Sequence, residues 1–158
     1  MTTIESNKGT KVTFLELEIT RKCQLACSHC YADSGPTQGH GTMTTDDWRS
    51  VLRQAADLGV QCVQFIGGEP TQHPAFAELL EYALSLDLQV RVYSNLVAVR
   101  DDLWKRLRLP GVSLATPYYS DDPEQHGQIT GTRASHARIR SNIARALQMG
   151  IPVSVGII

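Results

Sequence analysis

Three of the chain's four cysteines, Cys23, Cys27 and Cys30, fall within the single short segment "KCQLACSHCY", a C-x3-C-x2-C spacing. Two metal chemistries fit such a set of thiolates. Soft sulfur ligands on one loop can hold three irons of a cubane 4Fe-4S cluster, which leaves the fourth iron open to a substrate or cosubstrate. A closed tetrahedral zinc site is the alternative, with His29 or His40 as its fourth ligand. Three free thiols so close together would be reactive, which makes that reading the weakest. Cys62 stands apart in the apolar run "QCVQFI" and reads as a buried small hydrophobe.

A second stretch with chemical character is "GGEPTQHP", from Gly67 to Pro74. Gly67 and Gly68 let the backbone approach a ligand closely, and Pro70 stiffens the turn that follows. Glu69 is a hydrogen-bonding group for either the turn or a ligand.

The chain has 158 residues, 42% of them hydrophobic and 20% charged, the balance of one globular domain with its own core. Fifteen basic and sixteen acidic residues give a net charge of -1, so nothing marks the surface for a polyanion and no nucleic-acid partner is expected. The start "MTTIESNKGTKV" has no signal-peptide pattern, and the apolar runs are too short to span a membrane. A cytoplasmic location follows as the expectation. In that reducing compartment clustered thiols point to metal or redox chemistry rather than disulfides.

The elements that must position these motifs alternate along the chain. Strand patterns occur at 12–19, 61–66, 88–94, 111–116 and 152–158. Helix patterns run from Thr44, with Asp47 at capping-box spacing, to Gly59; from Pro74 to Leu86; from Asp101 to Arg108; and through Ile139, Ile143 and Leu147 to Gly150. The stretch between the fourth strand and the last helix reads as a polar loop. Five strands alternating with four helices predict a right-handed parallel α/β sheet, with its site at the carboxyl ends of the strands. The cysteines follow strand one and "GGEP" follows strand two, so both belong at that end. The apolar last strand has no covering helix after it, although a parallel strand needs both faces covered. The chain therefore reads as a domain truncated before a sixth strand. An open sheet edge of this kind predicts self-association through the C-terminal strand.

Taken together, "CQLACSHCY" after strand one and "GGEP" after strand two resemble the radical S-adenosylmethionine (SAM) enzymes, over nearly the whole chain. The resemblance implies a partial parallel (β/α) barrel, with residues 1–158 as its core domain, incomplete at the C-terminus and open enough to be an inactive fragment. It implies a 4Fe-4S cluster on Cys23, Cys27 and Cys30, with SAM on the fourth iron through its amino and carboxylate groups. By the same resemblance His29 lies near the adenine, and Gly67, Gly68, Glu69 and Pro70 form the motif whose backbone meets the SAM amino group. Ser94 and Asn95, in "YSNL", hold the place of a frequent "TNG", and Ser113, in "VSLAT", that of a serine that contacts SAM.

The family's activity, reductive cleavage of SAM to a 5'-deoxyadenosyl radical that abstracts hydrogen, implies a flavodoxin- or ferredoxin-like electron donor. The strand-four region follows the spacing of the SPASM-type branch, which modifies ribosomal peptides. It departs in having "SLATP" and "HGQITG" where those relatives read "SLDGP" and "HDxxRG", so that Thr130 replaces an arginine. Arg133 and Arg138 are the candidate substitutes for that cation. A small nucleotide-derived metabolite is the alternative substrate. A zinc module, or a scaffold that binds a peptide without turnover, is the alternative from another class.

Overall fold

The computed structural model describes residues 11–157. Residues 1–10, which carry most of the segment read above as lacking a signal peptide, and residue 158, the expected end of the last strand, lie outside them. No helix among the described residues is long and apolar enough to cross a membrane.

Alternation along each strand sorts the side chains into two faces. In β1 (Phe14–Glu18), β2 (Cys62–Ile66), β3 (Gln89–Tyr93) and β4 (Val112–Tyr118) the register places Leu17, Phe65, Val92 and Leu114 in one row across the sheet. All four are buried in the main core. The neighbouring row, Glu16, Gln64, Arg91 and Ser113, is polar and points to the opposite face. One face is therefore sealed by helices and the other presents hydrogen-bonding groups. β5 (Val153–Ile157) completes a parallel sheet of order β1-β2-β3-β4-β5. Every crossover adds its strand at the same edge, which is how a (β/α) barrel grows and not how a doubly wound sheet does.

The helices follow their local signals. Thr44 caps α1 (Thr45–Asp57) in a reciprocal box with Asp47, and Trp48, Leu52 and Ala55 are its buried stripe. The helix expected from Pro74 starts two residues later, as α2 (Phe76–Ser85), after a 3-10 turn over Pro70–Gln72. α3 (Asp101–Leu107) buries Leu103, Trp104 and Leu107. The expected polar loop is instead a helix, α4 (Pro123–Thr130), which precedes α5 (Ala134–Gln148). Asp122 starts α4 by accepting the Glu124 and Gln125 N–H groups at 2.7 and 3.1 Å, with Pro123 in the first turn. Its two buried residues, His126 and Thr130, are both polar, so no apolar period announces it.

Cys62 also differs from expectation. It lies on the face opposite Val63 and Phe65 and is only partly buried. At the sheet's edge, β5 pairs among the described residues with β4 alone and exposes Val155 and Ile157.

Candidate iron-sulfur and cosubstrate site

Where β1 ends, the chain turns into the cysteine loop, and three sets of hydrogen bonds, one of them internal, pin that loop in place. Its two limbs are zipped to each other, because the Cys23 N–H donates to the Gly35 carbonyl at 3.2 Å and the Gly35 N–H to the Arg21 carbonyl at 3.3 Å. The end of α4 holds its outer side: the Ser28 N–H reaches the Ile129 carbonyl at 2.9 Å, and the Ala26 N–H the Thr130 carbonyl at 3.4 Å. Helix-terminal carbonyls otherwise left without partners thus become anchors for the loop. Gly131, left-handed at φ 75°, closes α4 above Ala26.

The third anchor is the "GGEP" turn. The Gly68 N–H donates to the Thr20 carbonyl at 2.7 Å and the Glu69 N–H to the Lys22 carbonyl at 2.8 Å. A Cβ on Gly67 would lie 2.3 Å from the Thr20 carbonyl oxygen, and one on Gly68 2.5 Å from that of Lys22. Both glycines are thus required by a close approach of backbone to backbone. The sequence suggested an approach of backbone to ligand; here the nearest neighbour is the start of the cysteine loop itself.

Glu69 is fully buried and points away from the open space. Its carboxylate accepts the Thr71 N–H and hydroxyl at 3.1 and 2.6 Å, the Ser94 hydroxyl at 2.9 Å and the Asn95 N–H at 2.9 Å. Burial pushes this carboxyl up from its ordinary range, and the hydrogen bonds from Thr71, Asn95 and Ser94 draw it back. Ser94 is spent on Glu69, and Pro70 is buried at the first position of the 3-10 turn.

A cleft of about 390 Å³ opens at the carboxyl ends of β1 to β4. Cys23, Cys27, Cys30, His29, Gly67, Gly68 and Asn95 line it, so seven of the eleven residues singled out in the sequence share one wall space. Glu69, Pro70 and Ser94 stand behind it. Ser113 is the second residue of β4, opposite Arg91, and is not part of the lining. Thr130, in the place of the relatives' arginine, is buried and shares its hydroxyl with Ser135 at 2.7 Å. Arg133 pairs with Glu124 on the surface and Arg138 is exposed, so neither reaches the cleft.

Sequence reasoning missed the aromatic wall. Tyr31, Tyr93 and Tyr119 line the cleft, and Tyr119 meets the His29 ring edge-on at 4.8 Å. Tyr93 was legible, since it alternates with the core residues Val90 and Val92; Tyr119 follows β4 in the segment that was read as a loop. Burial pushes the Tyr119 phenol strongly up, and negative charge on Cys27, Tyr93, Cys30 and Cys23 adds to that effect, so it stays protonated.

Burial also raises the Cys23 thiol to about 11, against a partial pull from the Leu25 N–H, and raises Cys27. Among the described residues no three Cys, His, Asp or Glu side chains converge on a point where one metal ion could sit. His40, a candidate zinc ligand, is held by the Thr20 hydroxyl at 2.9 Å and packs against His73. Of the two candidate histidines, His40 is thus engaged elsewhere and His29 lines the cleft with the three thiols. A cubane places each thiolate on a different iron, so its ligands need not converge, and three thiols facing a roomy cleft fit that group.

The sequence between residues 17 and 158 matches the family model of the radical SAM superfamily. The chain belongs to that superfamily. This radical SAM chain is 33% identical over 140 residues to a PqqA peptide cyclase of Xanthomonas axonopodis pv. citri, covering 88% of this chain and 38% of the relative. It is 29% identical to one from Rhizobium meliloti, over 87% of this chain and 37% of the relative. The chain thus spans under two fifths of these relatives' length. Among solved structures, Streptococcus suis SuiB bound to S-adenosylmethionine superposes with a TM-score of 0.81 at 20% identity, over 92% of this chain and 33% of that one. Methylornithine synthase (PylB) superposes with a TM-score of 0.69 at 19% identity, over 95% of this chain and 46% of that one. At such identities these likenesses concern the fold: the five parallel strands are part of a radical SAM barrel.

Proposed function

We propose that this chain is the cofactor-binding part of a radical SAM enzyme that acts on a ribosomal peptide. The observation that carries the reading is the convergence of Cys23, Cys27 and Cys30 with the Gly67–Gly68 backbone on one cleft at the strand ends. Cys23, Cys27 and Cys30 would hold a 4Fe-4S cluster. When bound, cluster and SAM together supply a 5'-deoxyadenosyl radical able to abstract hydrogen from an unactivated carbon.

The chain's own residues bind and orient. The Gly67 and Gly68 backbone forms the edge for the SAM amino group, while Glu69 holds that turn against β3. His29, braced edge-on by Tyr119, offers a flat surface for the adenine. Asn95 borders the same space, and Ser113, near the start of β4, remains a candidate for a SAM contact. Glu16 and Gln64 of the polar row line the cleft where substrate would lie. Tyr93 and Tyr119, both half-buried, shield part of the cleft wall from water, while Tyr31 stands exposed at its rim.

A peptide substrate is supported by the sequence relatives that carry the name PqqA peptide cyclase, and by the superposition on SuiB bound to precursor peptide SuiA. The reductant would be a flavodoxin- or ferredoxin-like protein of the cytoplasm. The test is to supply the reconstituted protein with SAM and dithionite under anaerobic conditions and to measure 5'-deoxyadenosine. Its formation, increased by a peptide substrate, is the expected result. A protein that holds the cluster and binds SAM but forms none would refute the activity.

A further inference from the structure

The three cluster-ligand sulfurs are unequally served by hydrogen-bond donors. Cys30 Sγ accepts the Ser34 N–H at 3.4 Å, and among the described residues Cys27 Sγ has no donor from another residue. Cys23 Sγ accepts two, the Leu25 N–H at 3.4 Å and the Asn95 side-chain Nδ2 at 3.5 Å. Asn95 is therefore the single side-chain donor to any of the three sulfurs among the described residues.

Its orientation is set by its other bonds. Asn95 Oδ1 accepts both Gln24 Nε2 at 2.8 Å and the Val97 N–H at 3.0 Å, so the oxygen end of the amide is occupied and the NH₂ end must face the sulfur. Gln24 is itself oriented, because its Oε1 accepts Gln72 Nε2 at 2.8 Å. The Asn95 backbone is fixed by the buried Glu69 carboxylate at 2.9 Å. Four residues from three segments thus converge to aim one N–H at one sulfur.

We infer that Asn95 is a positioning residue for the cluster, and that its amide donates to the Cys23 sulfur so as to raise the cluster's reduction potential. The inference rests on the iron-sulfur reading above and goes beyond it. Reduction adds negative charge that is shared with the ligand sulfurs, and a donor to sulfur stabilises the more negative state. Partners one step beyond a metal ligand orient it and tune the metal in this way.

The test is an EPR-monitored redox titration of the reconstituted holoprotein, with iron and sulfide content measured on each sample. Asn95→Leu removes the donor and keeps the bulk. Asn95→Asp keeps the oxygen that serves Gln24 and Val97 but turns a second oxygen toward the sulfur. Gln24→Leu removes one of the two donors that hold the Asn95 oxygen and so loosens the amide. At parental cluster content, Asn95→Leu is expected to shift the reduction equilibrium toward the oxidised state by about tenfold, or about 59 mV for a one-electron couple. Asn95→Asp should shift it further, and Gln24→Leu less. Asn95 variants with a full cluster and an equilibrium within about twofold of the parent's overturn the proposal. If the Asn95 variants fail to hold a cluster, Gln24→Leu decides, and an unmoved potential there overturns it equally. A parent protein that takes up no iron removes the iron-sulfur reading itself, and this proposal with it.

Discussion

Glu69 and Asn95 lie 26 residues apart in sequence, yet a Glu69 carboxylate oxygen accepts the Asn95 backbone N–H at 2.9 Å. That bond joins the turn after β2 to the end of β3, while the Glu69 N–H joins the same turn to the cysteine loop. One buried acid therefore ties together three strand ends, and through them the walls of the cleft.

Removing that acid should be costly. Glu69→Ala would leave the Ser94 hydroxyl, the Thr71 N–H and the Asn95 N–H buried without their acceptor, a loss of about 3 kcal/mol in chemical denaturation. Glu69→Gln keeps one acceptor oxygen and should lose roughly half as much. A Glu69→Ala protein as stable as its parent would show that the carboxylate is not the tie.

Gly68→Ala places a Cβ against the Arg21 and Lys22 carbonyls, at the root of the cysteine loop. The expected outcome is lowered iron content after reconstitution as well as weakened SAM binding. Gly39→Ala serves as the control, since a Cβ there meets nothing within 4 Å. Full iron content in Gly68→Ala would mean that the loop yields without disturbing its thiols.

The fold was legible where period and capping agreed, and illegible where burial is polar. α1 carries both an apolar stripe and the Thr44–Asp47 box, and the expected helix matches the observed one to within a residue or so. α4 buries only His126 and Thr130, so its sole sequence signal was the Asp122-Pro123-Glu124 start, which the loop reading passed over. In the site, the cysteines and glycines were readable because their chemistry is rare and their spacing tight. Glu69 was visible as a residue but not as a buried tie, because its distant partners Ser94 and Asn95, just after β3, are brought to it only by the parallel register. Tyr119 was missed because nothing local shows which side of β4 its ring will take.

Thr44→Ala removes the hydroxyl that accepts the Asp47 N–H at 3.2 Å. The expected loss is about 1 kcal/mol, with the cleft unaffected. Denaturation midpoints with parallel iron analysis check both halves; a fall in iron content would reveal a coupling between α1 and the site that these contacts do not contain.

In the 158-residue chain taken by itself, the edge of β5 has no strand partner among the described residues, and association between copies is the expected outcome. Val155 and Ile157 are 44% and 79% exposed beside unpaired strand backbone. Light scattering of the 158-residue chain should show mass rising with concentration, and Ile157→Lys should suppress the rise. A chain that stays monomeric throughout would remove this surface as a contact.

The most direct test is iron and sulfide analysis of the anaerobically reconstituted chain and its four single Cys→Ala variants, with EPR spectra of the reduced protein before and after SAM is added. One 4Fe-4S cluster per chain is expected in the parent and in Cys62→Ala, with a spectrum that changes on adding SAM. Cys23→Ala, Cys27→Ala and Cys30→Ala should each lose the cluster or hold it only weakly. A stoichiometric single metal ion in place of iron and sulfide, or equal loss of cluster in Cys62→Ala, would contradict the assignment of this cleft.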